Sequence, residues 1–220
     1  MAAAGQNQSG ALESLCRSYW LPVYAFIRRR VTDEHQAQDL TQGFFTSLLS
    51  RSTIGAADPD RGKFRAYLLT ACKRFLANER EHAAALKRGG DVKHFSIDFA
   101  DAPGRGSDFA GDECSPEDLF EKQWALALMK SVLQTLREEY SARNKSDLFT
   151  ALKDRIVDQG EEPYAEIGER LNLSEAAVKA EVYRLRSRYR ELIRSEISRT
   201  VASEEDVEAE ISTLFAALAK

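Results

Sequence analysis

Cationic and aromatic side chains alternate along residues 61–94, a pattern whose chemistry is binding rather than catalysis. Nine Lys and Arg stand against three acids in this segment, and Phe64, Tyr67 and Phe75 lie between the cations. Because cations contact phosphates and flat rings stack on bases, the mixture is typical of single-stranded nucleic-acid binding. The same apolar residues also fit the core-facing stripe of a helix. We therefore expect the cations, and the loop before the helix, to be the stronger functional candidates.

Residue patterns typical of catalysis are missing from the sequence. It has no glycine-rich phosphate loop, no metal-ligand cluster and no histidine paired with a nucleophile. The three histidines are scattered, at His35, His82 and His94. We therefore expect no enzyme activity, no catalytic residue, no cofactor and no metal.

The composition indicates a cytoplasmic protein. The three cysteines, Cys16, Cys72 and Cys114, form no C-x-x-C pair, which argues against a disulfide framework or a zinc site and favours a reducing compartment. The start, MAAAGQNQSG, lacks the features of a signal peptide. No apolar run approaches the roughly 20 residues that span a bilayer, so we expect no membrane partner. The net charge of −4 argues weakly against indiscriminate coating of nucleic acid and does not exclude local basic patches.

Charge also divides the chain into parts. Residues 98–121 hold eight acids and one Arg, together with several Gly and Pro, a composition typical of a linker. Nearly everything else has helical periodicity, so we predict an all-α protein of two helical domains joined by this acidic flexible segment. The predicted bounds are 1–97 for the first domain, 98–116 for the linker, 117–202 for the second domain and 203–220 for a C-terminal helical extension.

Helix ends can also be predicted. The predicted helices are 12–30, about 33–49, 64–87, 119–140, 148–157, 164–171, 174 to about 201, and one in the extension. Pro22 is expected to kink or interrupt the first of them. Asp33 or Thr32, Ser115, Ser174 and Ser203 are the predicted N-caps. The extension is expected to be a packed terminal helix, with a cover for the second domain and a docking surface for a regulator as alternatives.

The most specific local signal is PYAEIGERLNLSEAAVKAEVYRLRSRYR, residues 163–190. A short apolar-faced helix is followed by the tight turn Asn172-Leu173-Ser174 and a second, basic helix, which is the pattern of a helix-turn-helix. Such a second helix lies in a DNA major groove. The candidate contact residues are Ser174, Lys179, Tyr183, Arg184 and Arg186. The plainer alternative is a helical hairpin with a solvated basic face.

Three segments, in this order, resemble the extracytoplasmic-function (ECF) sigma factors of bacterial RNA polymerase. They are AQDLTQGFF at 37–45, FRAYL at 64–68 and IGERLNLSEAAVK at 167–179. The resemblance covers most of the chain. It implies that the chain binds core RNA polymerase and promoter DNA. The first domain would melt and read the minus-ten element, and the second would read the minus-thirty-five element.

The resemblance also implies roles for individual residues. Contact with the clamp of the large polymerase subunit is expected from Asp39, Leu40, Gln42, Phe44 and Phe45. Contact with minus-ten single-stranded DNA is expected from Arg61, Lys63, Arg65, Tyr67, Lys73 and Arg74. An anti-sigma factor or another regulator is a further expected partner.

The chain departs from the family in its acidic residues. Family members often carry acids where this chain has Gln36, Gln38 and Gly43, and only Asp39 remains of that cluster. Fewer charge-assisted contacts imply weaker docking on a basic partner. Phosphorylation of a threonine in this helix, Thr41 or Thr46, would add charge. In the recognition helix, Glu181 stands where the family often has a cation.

Two other classes of protein remain as alternatives. A stand-alone helix-turn-helix regulator would need only residues 163–190 and would bind duplex DNA by itself, usually as a dimer. A sigma factor should bind duplex DNA poorly until core polymerase is present. A nucleic-acid enzyme is the least supported class, because the sequence has none of the motifs named above.

Overall fold

The structure is a computed structural model that describes residues 18–50, 63–86, 114–157 and 160–219. These residues form helices and turns and contain no strand, so the all-α prediction is confirmed. The helices are α1 (18–28), α2 (Glu34–Ser50), α3 (Phe64–Leu86), α4 (Pro116–Ala142), α5 (Ser146–Leu152) with a 3-10 turn at Lys153–Arg155, α6 (Tyr164–Leu171), α7 (Glu175–Ser198) and α8 (Glu204–Leu218). None of these helices is both long and apolar enough to cross a membrane.

The predicted N-caps Asp33, Ser115, Ser174 and Ser203 are confirmed. In each case the backbone N–H three residues downstream donates to the side-chain oxygen of the cap, over 2.8, 3.1, 3.2 and 3.2 Å respectively. Each bond satisfies one of the amides that a helix start leaves without an intrahelical partner. The sequence therefore fixes four helix starts through short-range hydrogen bonding.

Some predicted helix bounds were wrong. α5 ends at Leu152 and passes into the 3-10 turn, whereas a helix to residue 157 was expected. Pro22 is buried and lies within α1 without ending it. Of the loop expected before the 64–87 helix, Lys63 lies in the described chain, and the predicted end of that helix at residue 87 lies outside it.

The chain divides into two compact units, called here the first and the second unit. The first comprises the described residues up to 127 together with 200–219, and the second comprises residues 128–199. These bounds differ from the predicted domains in two places. The opening half of α4 belongs to the first unit, and so does α8, which the sequence set apart as an extension. Most of the predicted linker lies outside the described residues.

Aromatic side chains from several helices build the core of the first unit. Trp20 of α1 stacks on Phe45 of α2 at a centroid distance of 5.6 Å, and Phe26 of α1 meets Phe120 of α4 edge-on at 6.4 Å. Both arrangements are favourable for ring quadrupoles. The apolar stripe of α3 adds Leu68, Cys72 and Leu76, and α8 adds Val207, Leu214 and Ala217. The contact of Phe120 with Phe26 explains why the start of α4 belongs to this unit.

The second unit is built around α7. The buried stripe of this helix is Val178, Val182, Leu185, Tyr189, Leu192, Ile193 and Ile197. The other helices of the unit contribute Val132, Leu136, Tyr140, Leu148, Phe149, Leu152 and Ile167 to the core. Burial of such a stripe along one face is what stabilises a helix in a small domain. The opposite face of α7 stays in solvent.

Candidate functional site

The predicted polymerase-binding residues of α2 fall into two groups. Asp39 is exposed, and Leu40 and Gln42 are partly exposed, so these three lie on the surface of the first unit. Phe44 and Phe45 are only 2% and 1% exposed, so neither ring is accessible to a partner in this conformation, and their contact with the polymerase stays a prediction. A docking surface on α2 therefore consists of Asp39, Leu40 and Gln42.

The two buried phenylalanines are core residues because α2 lies between two other helices. Phe45 faces Trp20 of α1, and Phe44 meets Phe75 of α3 edge-on at a centroid distance of 5.8 Å. Sequence periodicity placed Phe44 and Phe45 on the apolar side of α2. It did not show that both are fully covered.

The threonines of α2 differ in accessibility. Thr41 is fully buried, and its hydroxyl donates to the carbonyl oxygen of Ala37 over 2.7 Å. A kinase cannot reach a hydroxyl in that position, so the suggestion that Thr41 is phosphorylated was wrong. Thr46 is partly exposed and donates to the carbonyl oxygen of Gln42 over 2.9 Å. Phosphorylation of Thr46 stays a prediction.

Three of the cations expected to contact single-stranded DNA are paired with acids. Lys63, just before α3, reaches Glu210 of α8 over 2.9 Å, and Lys73 of α3 reaches Glu117 of α4 over 2.8 Å. Arg65 is only 8% exposed and pairs with Glu210. Arg65 is therefore not accessible to DNA in this conformation, and its contact with DNA stays a prediction.

The other residues of this predicted group have different environments. Arg74 is exposed, and Tyr67 is partly exposed with its ring 6.2 Å from that of Phe64. Arg61 lies outside the described residues. On α3 itself, Arg74 and Tyr67 thus remain accessible, and so does Lys73, because its ion pair with Glu117 lies at the surface.

Arg65 is the centre of a buried polar cluster. Its Nε donates to Oε1 of Glu210 over 2.7 Å and its Nη2 to Oε2 over 3.2 Å, while its Nη1 pairs with Glu121 of α4. The guanidinium carbon also lies 4.8 Å from the ring centroid of Trp124, a cation–π contact. Burial by the surrounding core raises the pKa of the Tyr19 hydroxyl well above its usual range, so this phenol stays neutral.

Arg65 and Glu210 are both charged at neutral pH. Burial lowers the pKa of Arg65, but its hydrogen bond to Glu210 and the neighbouring Glu121 carboxylate outweigh burial and raise it. Burial raises the pKa of Glu210, but hydrogen bonds from Arg65 and Lys63 outweigh it and hold that pKa below its usual range. A buried charge needs such partners to remain ionised.

Glu210 was not singled out from the sequence, although a signal for its burial existed. The buried residues of α8 are Val207, Glu210, Leu214 and Ala217, so the glutamate occupies a core position of an amphipathic helix. An acid on an apolar face implies a buried cationic partner. No sequence pattern indicates which cation that would be.

The turn between α6 and α7 is tight and depends on two residues. Asn172 adopts a left-handed conformation with φ of 54°, and the Leu173 N–H donates to the carbonyl oxygen of Gly168 over 2.8 Å. A Cβ on Gly168 would lie 2.6 Å from the carbonyl oxygen of Leu173. Only glycine leaves room for the chain to fold back this closely. Ser174 then caps α7, so its side chain is used by the helix start.

The solvent face of α7 carries three of the predicted DNA-contacting side chains. Tyr183 is 72% exposed. Lys179 pairs with Glu175 over 2.6 Å, and Arg184 pairs with Glu181 over 2.8 Å, in both cases at the surface. Exposed pairs of this kind contribute little to stability and exchange readily for other partners. These three side chains are therefore available to a ligand.

Arg186 differs from its neighbours on α7. Its Nε donates to the carbonyl oxygen of Arg155 over 2.7 Å, which ties α7 to the 3-10 turn. Arg186 thus has a structural contact within the second unit in addition to its predicted role. Glu181 also has a structural contact, because its carboxylate accepts a hydrogen bond from Lys145 over 3.1 Å.

The described residues contain no metal-binding cluster, since no group of three or more His, Cys, Asp or Glu is placed to hold an ion.

Comparison with known proteins gives no match to a family model, a curated protein or a solved structure. The functional interpretation therefore depends on the chemistry of the two surfaces described above, on α2 and on α7.

Proposed function

We propose that this chain is an RNA polymerase sigma factor of the ECF type. In this role it has no catalytic activity of its own and directs core polymerase to promoters. The observation that carries the proposal is the geometry of α6 and α7, where a tight turn, a capped second helix and an exposed basic face coincide. A helix presented in this way fits a DNA major groove. Lys179, Tyr183 and Arg184 would contact the minus-thirty-five element.

The surface of α2 supports the polymerase-binding part of the proposal. Asp39 offers a carboxylate to the solvent, with Leu40 and Gln42 beside it. One acid flanked by an apolar and an amide side chain suits a basic partner helix, where the charge gives orientation and the apolar contact adds burial. The proposed partner surface is the clamp of the large polymerase subunit. The chain would then act in the cytoplasm, where transcription takes place.

The minus-ten part of the proposal is narrower than the sequence suggested. Arg74, Lys73 and Tyr67 are the accessible candidates on α3, two cations for phosphate and a ring for stacking. Arg61 remains a candidate from the sequence. Lys63 and Arg65 would first have to leave the buried Glu210.

A stand-alone helix-turn-helix regulator is the second candidate, because the geometry of α6 and α7 supports it equally well. The two functions differ in what they require of α2. A regulator that acts alone needs no partner protein on α2, whereas a sigma factor needs α2 to bind the polymerase.

Binding to purified core polymerase tests the proposal. We expect the Asp39→Ala, Gln42→Ala variant to bind core about tenfold to a hundredfold more weakly than the wild type, the effect of losing one or two contacts to a charged partner. The matched control is Glu138→Ala, Gln134→Ala, which likewise removes one carboxylate and one amide, from the exposed face of α4 in the second unit. The control should bind core as the wild type does.

Two outcomes would contradict the proposal. One is failure of the wild-type chain to bind core. The other is tight, specific binding to duplex DNA without core, with core binding equal in both variants. The second outcome would favour the stand-alone regulator.

A further inference from the structure

We propose that α8 is an intramolecular competitor of nucleic acid, with the Glu210 carboxylate occupying a phosphate-binding site formed by Lys63 and Arg65. The inference rests on the proposed function, because it assumes that the first unit contacts DNA. It adds a regulatory role for the C-terminal helix.

The geometry around Glu210 is that of an anion site. Arg65 donates to both carboxylate oxygens, over 2.7 and 3.2 Å, and Lys63 adds an ammonium 2.9 Å from Oε2. A guanidinium fork joined by an ammonium binds carboxylate and phosphate alike, because both ligands offer paired oxygens with negative charge. The carboxylate of Glu210 therefore stands where a backbone phosphate of DNA would bind.

The site is held in place by contacts that do not involve α8. The guanidinium of Arg65 also pairs with Glu121 and lies over the ring of Trp124, and both of these residues belong to α4. Arg65 is therefore oriented even when Glu210 is absent. The Lys63 side chain is 26% exposed, so an incoming phosphate has access to one edge of the site.

The short buried stripe of α8 makes displacement feasible. It is a 15-residue helix, and the residues it buries are Val207, Glu210, Leu214 and Ala217. A segment with few buried apolar contacts opens at lower free energy than the whole domain. One backbone bond, from the Phe64 N–H to the carbonyl oxygen of Thr200 over 3.0 Å, links the start of α3 to the segment that precedes α8. Movement of α8 is therefore coupled to the chain at Lys63.

Binding of a labelled oligothymidine 20-mer to the full chain tests the competition. We expect Glu210→Gln to bind it about tenfold more tightly at low salt, since a charged contact becomes available. Because the site takes one phosphate, the plot of log K against log salt concentration should also steepen by about 0.7, the slope for one phosphate on a single strand.

Two further variants serve as controls. Glu205→Gln removes the same charge from an exposed position of α8 and should leave affinity and salt slope unchanged. Lys63→Gln, added to Glu210→Gln, removes one of the two cations of the site and should lose most of the gain in affinity. If Glu210→Gln and Glu205→Gln bind the oligonucleotide equally, the competition does not exist and Glu210 only neutralises a buried Arg65.

Hydrogen exchange of the wild-type chain tests the competition without any substitution. It is the deciding measurement if Glu210→Gln proves unstable. Saturating oligothymidine should speed amide exchange in α8, because a phosphate displaces Glu210. Unchanged or slower exchange in α8 would overturn the proposal. Neither the oligonucleotide binding nor the hydrogen exchange uses core polymerase. A negative result in these two experiments therefore does not contradict the sigma-factor proposal, and they can be interpreted even if the chain does not bind core.

Discussion

Replacement of Gly168 by Ala tests the turn on which the proposed DNA-binding surface depends. In an ordinary helix interior this change stabilises by about 1 kcal/mol, because alanine has the higher helix propensity. In α6 the added Cβ would lie 2.6 Å from the carbonyl oxygen of Leu173, a backbone atom that cannot rotate away. The turn would have to move by several tenths of an ångström.

The net effect follows from these opposing terms. Overpacking at a fixed backbone atom costs about 1–3 kcal/mol. Weakening the 2.8 Å bond from the Leu173 N–H to the Gly168 carbonyl oxygen costs about 1 kcal/mol more. After the gain in propensity, we expect Gly168→Ala to lower the free energy of unfolding of the second unit by about 1–3 kcal/mol.

Gly43→Ala is the matched control, since Gly43 also lies inside a helix. Its added Cβ would lie 3.3 Å from Cζ of Phe75, a ring that can move slightly. We expect this variant to be as stable as the wild type or more stable by up to about 1 kcal/mol.

Urea denaturation followed by two signals separates the two variants. The two tryptophans, Trp20 and Trp124, both belong to the first unit, so their fluorescence reports on that unit. Far-ultraviolet circular dichroism reports on all helices. Gly168→Ala should lower the midpoint of the dichroism transition and leave that of fluorescence unchanged. A Gly168→Ala variant as stable as Gly43→Ala would refute the account of the turn.

Three further predictions follow from individual side chains. Tyr183→Ala should leave the free energy of unfolding within about 0.5 kcal/mol of wild type, because the ring is 72% exposed. The same variant should weaken promoter binding by the polymerase complex about tenfold in a filter-binding assay. Bonds from Arg65 and Lys63 outweigh burial and lower the pKa of Glu210, so its stabilisation is present above the ordinary glutamate value of about 4.3 and lost as pH falls through the lower folded value. Acid titration of wild type should therefore show a steeper loss of stability than that of Glu210→Gln, and identical curves would contradict this. Burial raises the pKa of the Cys72 thiol to about 12, so iodoacetamide should alkylate Cys114 before Cys72 in the native chain, as read by peptide mass spectrometry.

Features set by neighbouring residues were predictable from the sequence. The cap at Ser174 and the turn before it depend on contacts between residues only a few positions apart, such as the Leu173 N–H with the Gly168 carbonyl. The all-α fold followed from helical periodicity, which reflects one buried face per helix. These features need no knowledge of the rest of the chain.

Features set by distant residues were not predictable. Arg65 was expected to contact DNA because it lies in a segment that resembles the sigma factors, but its partner Glu210 lies 145 positions away in the chain. Phe44 was expected to contact the polymerase from the same resemblance. Its burial was not predicted, because helical periodicity does not show how fully neighbouring helices cover a side chain. For both residues, burial depends on which helices pack together, and no local sequence pattern predicts that packing.

Core-dependent initiation is the most direct test of the central claim. Purified core polymerase would be combined with the wild-type chain, and 5′ ends of transcripts from a genomic DNA library would be mapped, with the Asp39→Ala, Gln42→Ala variant beside it. The account predicts initiation at a defined set of sites that requires both the chain and core and is strongly reduced in the variant. Absence of specific initiation with the wild-type chain, or equal initiation with the variant, would contradict it.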